Sequence, residues 1–365
     1  MTPHELFTVF SVLLGASVGS FLNVCIYRIP LDGVSISQPR GSYCPTCQTP
    51  IRWFDNIPIL AWIFLKGKCR SCQSPISIRY PMVELVSAIL FFMIWLQFGP
   101  GEGADVTSLV SWGDVLFWWL IFAGMIVISM IDFDHRIIPD ELSVTGGALA
   151  LLVIPCLSSV PLQRSGIPQL ANYLEPLDRQ IASGAAFAVQ GVLAVILGGI
   201  AMVGMRRWSP DWEGKRRGWW ETRWAGAVGA ALGITIGGVL CRPDWLQSNS
   251  GQALLAALIG SAIGAGVIYG IGVLGKLAFR REAMGFGDVK LMGLLGAILG
   301  PRDVLLAVFL ASLLGSIVGI PLRLFARSKT IPFGPFLCGA AAILILASRE
   351  VESAIQWYFR QIGAG

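Results

Sequence analysis

The chain contains few charged residues. Only 13% of its 365 residues are Asp, Glu, Lys or Arg, whereas 55% are hydrophobic. A soluble globular domain carries about 25% charged residues, so this composition excludes a soluble enzyme and indicates an integral membrane protein. Histidine is scarce too, with two in the chain. No glycine-flanked serine and no cysteine–histidine pair supplies an obvious nucleophile.

The first apolar run lacks the flanks of a cleavable signal peptide. No basic residue precedes it and no small-residue cleavage site follows it, so we expect it to remain as a membrane helix. A helix needs about 20 apolar residues to cross the hydrocarbon core. By that measure we predict an all-α polytopic protein with about ten transmembrane helices, although one run is short for a crossing. The predicted spans are 6–27, 82–98, 112–131, 141–157, 182–205, 225–241, 251–275, 288–300 (the short one), 303–322 and 333–348.

Lysine and arginine predict the orientation. With the N-terminus outside and ten alternating spans, 21 of the 27 basic residues fall on the cytoplasmic side and 6 outside. Basic residues are retained on the cytoplasmic side, so this arrangement is strongly favoured. It places the stretch 132–140 and the segment between the first two spans in the cytoplasm.

Two Cys-x-x-Cys pairs lie between the first two spans. They are Cys44 with Cys47 and Cys69 with Cys72, separated by 21 residues. Two such knuckles typically share one tetrahedral zinc ion. A pair of disulfides is the alternative, but thiols stay reduced in the cytoplasm, which favours zinc. Four thiolates leave no open coordination position, so the metal would be structural.

Two aspartates border apolar runs on the predicted cytoplasmic side. Asp132 directly follows IFAGMIVISMI, and Asp288 opens an apolar segment after Gly285 and Gly287. Ionisable groups beside membrane spans are usually functional, and the glycines leave room for another chain to approach. Two close carboxylates share a proton and can hydrolyse a peptide bond. Taken alone, Asp288 could simply cap a helix.

Other polar residues near these sites keep structural alternatives. Asp140 follows Pro139 at a position typical of a helix N-cap. Asp134 and His135 either tune the site or face water. Glu84, early in the second span, binds a substrate charge or the freed N-terminal amine, or it only pairs with Arg79.

Six sequence blocks carry a family resemblance. They are GSFLNVCIYRIP (19–30), the two cysteine pairs, RYPMVEL (79–85), IDFDHRIIPD (131–140), MGFGDVKL (284–291) and IPFGP (331–335). In this order they resemble the bacterial type IV prepilin peptidases, which are bifunctional leader peptidase/N-methyltransferases of the Gly-x-Gly-Asp type. The blocks span nearly the whole chain.

The resemblance implies an aspartic endopeptidase of the bacterial inner membrane. Asp132 and Asp288 match the family's catalytic pair, which removes the basic leader of prepilins and pseudopilins at the cytoplasmic face. S-adenosylmethionine would then methylate the new N-terminus. Gly67 and Lys68 match a Gly-Lys-Cys element that bears on methyl transfer. The residues 30–80 contain no glycine-rich strand-turn-helix pattern, so methyl transfer rests on resemblance alone.

The chain departs from the family by an insertion. Family members typically have eight spans, and the excess here lies within 158–250, which adds a pair of helices and preserves the side on which Asp288 lies. The loop 206–224 between them is rich in basic residues and tryptophan. Such a loop is either anchored to anionic lipid or docks a partner of the pilus or secretion apparatus. We expect no nucleic-acid partner.

The expected organisation follows from these features. The segments are a first transmembrane helix (1–29), a cytoplasmic four-cysteine zinc-ribbon-like domain (30–80), helices carrying the first aspartate (81–157), the insertion (158–250), helices carrying Gly-x-Gly-Asp (251–349) and a C-terminal tail (350–365). A proton-coupled secondary transporter and an inactive assembly scaffold remain as alternatives. A transporter would show a pseudo-symmetric repeat, and the hydropathy pattern shows none that is convincing.

Overall fold

A computed structural model of the protein describes residues 2–31, 36, 42–101, 109–154, 157, 249–280, 284–325 and 331–361. Over these ranges the fold is all-α: it has no strand, only two isolated β-bridges. The predicted spans 182–205 and 225–241 and the loop 206–224 lie outside the described residues.

Nine α-helices and one short 3-10 helix make up the described fold. In chain order they are α1 (Pro3–Arg28), a 3-10 helix (Trp53–Asn56), α2 (Leu60–Phe64), α3 (Arg79–Phe98), α4 (Leu109–His135), α5 (Asp140–Val153), α6 (Asn249–Phe279), α7 (Phe286–Phe325), α8 (Gly334–Leu346) and α9 (Ser348–Gln361). The sequence determines where α1 starts. Thr2, the residue before Pro3, is the N-cap, and it forms a reciprocal capping box with Glu5.

Five described helices are long and apolar enough to cross a membrane. These are Pro3–Arg28, Arg79–Phe98, Trp112–His135, Gln252–Phe279 and Phe286–Pro321. A polytopic membrane protein is therefore confirmed, and four predicted spans coincide with single helices. The count of ten stays a prediction.

The other four predicted spans do not each match one long helix. The run 141–157 contains α5, which has only 14 residues. The runs 288–300 and 303–322 both lie in α7, and the non-helical residue that interrupts it, Gly300 (φ 79°, ψ 176°), lies at the predicted boundary between them. The last run ends in a turn of 90° between α8 and α9, so the expected tail is a helix.

The described chain divides into two compact units. The first consists mainly of Met1–Leu142 and Ala307–Gly365, and the second mainly of Ser143–Cys156 and Val160–Leu306. Asp132 belongs to the first unit and Asp288 to the second. The core of the first unit joins α1, α3 and α4 through the buried residues Leu22, Cys25, Ile26, Val83, Ala123, Val127 and Ile131.

Helices α1 and α3 pack antiparallel at very short range. Gly15 and Gly19, four residues apart, face α3, and a Cβ on Gly19 would lie 2.7 Å from the Cα of Glu84. Small residues at this spacing let membrane helices approach closely. Hydrogen bonds fix both ends: the Trp95 indole N–H donates to Thr8 Oγ1 at 3.0 Å, and the Asn23 amide donates to the Tyr80 carbonyl at 3.1 Å.

This packing makes a stability prediction. Gly19→Ala should lower the free energy of unfolding by about 1–3 kcal/mol, because the added methyl group overpacks the contact with α3. Gly124→Ala in α4 is the matched control, since no other helix among the described residues comes within 4 Å of its Cβ position. Thermal unfolding in detergent is the measurement. Equal midpoints for the two variants would show that the α1–α3 approach is looser than described.

Candidate functional site

Asp132 lies near the end of α4, at the edge of a membrane-spanning helix. Its side chain is buried, with 6% of the residue's surface exposed. The helix continues for three residues beyond it and ends at His135. Buried carboxylates at the end of a membrane helix are costly unless they are hydrogen-bonded, so the partner of Asp132 matters.

The partner of Asp132 is the first turn of α8. The backbone N–H of Gly334 donates to Asp132 Oδ2 at 2.9 Å. A Cβ on Gly334 would fall 2.6 Å from the same oxygen, so only glycine fits without displacing the carboxylate. Gly334 is also the first residue of α8, where the helix dipole favours a negative charge. Gly334 belongs to the IPFGP block, to which the sequence assigned no role.

Asp288 lies in the first turn of α7. Its backbone N–H donates to the Gly285 carbonyl at 3.2 Å, and a Cβ on Gly285 would lie 3.5 Å from Asp288 Oδ2. Asp288 and Gly287 are half-buried in the first turn of the helix, whereas Gly285, at the turn before it, is exposed. The glycine at 285 therefore leaves one side of the carboxylate uncovered by a side chain. Because Asp288 lies in the second unit, its pairing with Asp132 stays a prediction.

Glu84 is buried in α3, with 8% exposed. Its Oε2 accepts a hydrogen bond of 2.7 Å from the backbone N–H of Ile59, and the Ser20 side chain also hydrogen-bonds to it. The alternative that Glu84 only pairs with Arg79 is wrong, because Arg79 forms its ion pair with Asp134.

Two further aspartates of this stretch, Asp134 and Asp140, make local structural contributions. The Arg79–Asp134 ion pair joins the start of α3 to the end of α4, and such partly exposed pairs contribute less than about 1 kcal/mol. Asp140 is the first residue of α5 rather than its N-cap. It still lies in the first turn, where a negative charge complements the helix dipole.

The four cysteines come together as the sequence predicted. The Sγ atoms of Cys44, Cys47, Cys69 and Cys72 all lie within 4.8 Å of one another, and all four are free thiols. The Cys44 and Cys72 sulfurs are 3.8 Å apart. That distance matches the edge of a tetrahedron with Zn–S bonds of about 2.3 Å, which is about 3.8 Å. The donor set therefore fits one tetrahedral metal ion.

The two knuckles repeat one another in sequence and in backbone. From its second cysteine onward, the first knuckle reads CQTPI (47–51) and the second reads CQSPI (72–76). In each, the first cysteine N–H donates to the carbonyl of the Thr or Ser five residues later, namely Thr49 and Ser74, at 3.0 and 2.9 Å. This repeat was visible in the sequence and strengthens the metal interpretation.

Hydrogen bonds inside the knuckles favour the thiolates of Cys44 and Cys72, the form that binds metal. The backbone N–H of Cys47 is the main cause that lowers the pKa of Cys44 to about 6. The Ser74 hydroxyl, followed by the Ser74 backbone N–H, lowers the pKa of Cys72.

Gly67 and Lys68 lie just before the second pair. Gly67 has φ +67°, and a Cβ there would lie 3.0 Å from the Trp62 ring, so its backbone turn alone accounts for the glycine. Lys68 is exposed and is paired with Pro75 by an isolated β-bridge. Its ammonium suits an anionic ligand, but no further group of such a site is described beside it.

Comparisons with known proteins agree with these features. The bacterial Peptidase A24 N-terminal domain family matches residues 13–98, which include the four cysteines and Glu84. The type IV leader peptidase family matches residues 224–320, which include Asp288 and both glycines before it. Asp132 lies outside both matched ranges. No solved structure matches the chain.

Several curated relatives are each called a prepilin leader peptidase/N-methyltransferase. The protein of Aeromonas hydrophila is 27% identical over 371 residues, covering 95% of this chain and 91% of the relative. That of Myxococcus xanthus (strain DK1622) is 31% identical over 328 residues, covering 90% of this chain and 66% of the relative. That of Pseudomonas aeruginosa is 28% identical over 376 residues, covering 96% of this chain and 94% of the relative. The chain belongs to the type IV leader peptidase family, and it is a membrane peptidase.

Proposed function

We propose that the protein cleaves the basic leader from type IV prepilins and pseudopilins, with Asp132 and Asp288 as its catalytic pair. The observation that carries this proposal is the buried Asp132 carboxylate, held at the end of a membrane helix by the N–H of Gly334. The leader peptidase family match around Asp288 and the names of the relatives support the substrate class.

The chemistry requires one aspartate ionised and the other protonated. The ionised carboxylate takes a proton from water as the water oxygen attacks the scissile carbonyl carbon. The protonated partner donates to the carbonyl oxygen, giving a tetrahedral diol. Return of a proton to the leaving nitrogen then breaks the C–N bond. Two carboxylates close together favour this shared-proton state, because both cannot ionise easily in a site of low dielectric constant.

The substrate enters from the cytoplasmic side in this proposal. Prepilins carry a cationic leader before an apolar helix, so the cleaved junction lies at the membrane surface, where α4 ends beside Asp132. The basic residues support this orientation, with 21 of 27 on the cytoplasmic side. Gly285 and Gly287 leave space for the substrate backbone beside Asp288. Glu84 recognises a substrate cation or the new amine.

The same protein then methylates the new N-terminus. The relatives' names support this second activity, for which S-adenosylmethionine supplies the methyl group. Gly67 and Lys68 are the residues of this chain that bear on it. The exposed Lys68 ammonium suits the donor's carboxylate, whereas Gly67 holds the turn that presents it.

The wider architecture completes the proposal. The chain has a family core of eight transmembrane helices and an inserted pair within 158–250, with the loop 206–224 binding anionic lipid or an assembly partner. The cysteine-rich domain would hold one structural zinc ion through Cys44, Cys47, Cys69 and Cys72. The metal would cross-link the two knuckles and take no part in hydrolysis.

The zinc assignment makes a testable prediction. Purified protein should contain one zinc ion per chain by elemental mass spectrometry, and Cys72→Ser should lose it because only three thiolates remain. Cys25→Ala is the matched control, since Cys25 is a free thiol buried in α1 away from the cluster. Protein that carries no zinc when isolated without chelators, or that keeps it in Cys72→Ser, contradicts the prediction.

One assay tests both activities. The purified protein in liposomes is incubated with a prepilin and a labelled methyl donor, and the pilin product is analysed by mass spectrometry. We expect loss of the leader followed by a labelled methyl group on the new N-terminus. Intact prepilin after incubation would contradict the peptidase assignment, and cleaved but unlabelled pilin would contradict only the methyl transfer.

A further inference from the structure

An apolar segment lies in the cysteine-rich domain, outside the membrane-spanning helices. Residues 57–65 read IPILAWIFL, without a charged residue, and contain α2. One side of this segment packs on the domain: Ala61 is buried, and the Trp62 indole N–H donates to the Ile76 carbonyl at 3.0 Å. These contacts fix the segment to the domain and leave its other side uncovered.

The uncovered side is large and aromatic. Trp53 is 81% exposed and Phe64 is 79% exposed. We call the whole surface the aromatic face, and its exposed members are Trp53, Phe54, Ile57, Leu60, Ile63 and Phe64. Six exposed apolar side chains within twelve residues of sequence, two of them (Trp53 and Phe54) in ring contact, indicate an interaction site.

The depth of the segment identifies the partner. The N–H of Ile59 donates to Glu84 at 2.7 Å, and Glu84 lies five residues beyond Arg79, where α3 begins. At 1.5 Å per residue this is about 8 Å along the span. Amphipathic segments at a membrane surface bury their apolar side about 5–10 Å deep. With α3 entering the bilayer near Arg79, where its candidate span begins, the segment would lie at the level of the bilayer boundary.

The backbone at this contact is held in an unusual conformation. Ile59 has φ 63° and ψ −52°, a region that a β-branched residue rarely adopts. Such strain persists only where surrounding contacts maintain it. The hydrogen bond to Glu84 is such a contact, and it keeps the segment against α3.

The charges around the aromatic face complement an anionic surface. Arg52, Lys66 and Lys68 are exposed next to the aromatic residues in sequence. The acidic Asp55 is paired with Arg70, with 2.6 Å between Oδ1 and Nη2. Basic residues at the bilayer surface attract anionic lipids, and tryptophan prefers the interface.

We propose that the aromatic face is embedded in the anionic headgroup region of the bilayer, so that the cysteine-rich domain is docked on the membrane. The bound partner is the lipid surface itself. Both ends of the domain continue into membrane helices, α1 and α3, which keeps the domain at the bilayer surface. The inference depends on the membrane location and not on the peptidase chemistry.

Photocrosslinking tests the docking. The full chain, with a photoreactive amino acid at position 64 or 53, is reconstituted in phosphatidylethanolamine and phosphatidylglycerol vesicles that contain an alkyne-tagged phospholipid. Position 46, an exposed threonine at the tip of the first knuckle, is the matched control. We expect a tagged-lipid adduct several-fold stronger at 64 and 53 than at 46, and weaker when phosphatidylcholine replaces phosphatidylglycerol.

Other outcomes overturn the proposal. Equal lipid adducts at positions 64 and 46 would show that the face is not docked. An adduct with added prepilin, and none with lipid, would assign the face to the substrate. Equal yields in the two lipid mixtures would overturn the electrostatic part. Retention of bound zinc verifies that each labelled chain is folded.

Discussion

Asp132→Asn is expected to stop leader cleavage while the chain stays folded in the membrane. The substitution keeps the size of the side chain and an oxygen that can accept the Gly334 N–H, but it removes the group that exchanges a proton. General acid–base groups contribute about 10²–10⁴-fold, so we expect cleavage to fall at least about a hundredfold. Asp288→Asn should have an effect of the same size. Mass spectrometry of a co-expressed prepilin measures both.

Matched substitutions separate catalysis from general damage. Asp134→Asn, two residues along the same helix, removes only the partly exposed ion pair with Arg79 and should leave cleavage unchanged. Asp303→Asn serves the same purpose for Asp288, because both lie in α7. Normal prepilin processing by either Asp132→Asn or Asp288→Asn would remove the aspartic assignment.

Gly334→Ala should reduce the rate of cleavage by about a hundredfold with little change in KM. The new Cβ would fall 2.6 Å from Asp132 Oδ2, so the carboxylate must move away, and a displacement of about 1 Å costs about 10²-fold in rate. In the proposed mechanism Gly334 is thus a positioning residue that acts through Asp132. Single-turnover cleavage in proteoliposomes separates this loss of kcat from a loss of substrate binding.

The control for this variant lies in the same helix. Gly339→Ala adds a methyl group whose nearest neighbour, Leu314 Cδ1, is 4.0 Å away, so cleavage should continue at the original rate. Methylation of pilin that has already been cleaved should proceed in both variants, because Asp132 is assigned to hydrolysis and not to methyl transfer in the proposed mechanism. Full-speed cleavage by Gly334→Ala alongside an inactive Asp132→Asn would reject the positioning role but leave the catalytic assignment intact.

Much of the fold follows from local properties of the sequence. Apolar runs of sufficient length predicted α1, α3, α4 and α6, because crossing a bilayer requires such runs whatever the tertiary packing. The cysteine spacing predicted the cluster for a similar reason: one metal ion sets the distances among its ligands. The predicted boundary between the spans 288–300 and 303–322 coincides with the break in α7 at Gly300, although hydropathy could not give the backbone angles there.

The contacts that complete each site depend on tertiary structure. Gly334 lies 202 positions after Asp132, and only the packing of α8 against α4 brings the N–H to the carboxylate. Glu84 was expected to seek an ionic partner, yet it accepts a backbone N–H from Ile59. Sequence patterns report side-chain types and spacing, whereas these partners are main-chain groups that nearly every residue type offers. The pairing of Asp132 with Asp288 stays a prediction, drawn from the predicted topology and the family resemblance.

The residual cleavage rate of the double variant tests the central claim that the two aspartates act as one catalytic pair. The wild type, Asp132→Asn, Asp288→Asn and the double variant are compared under single-turnover conditions with excess enzyme in liposomes. Substitutions of groups that act as a unit have strongly non-additive effects on the rate. The double variant should therefore cleave no more slowly than the slower single variant. A double variant whose loss equals the product of the two single losses would contradict the account.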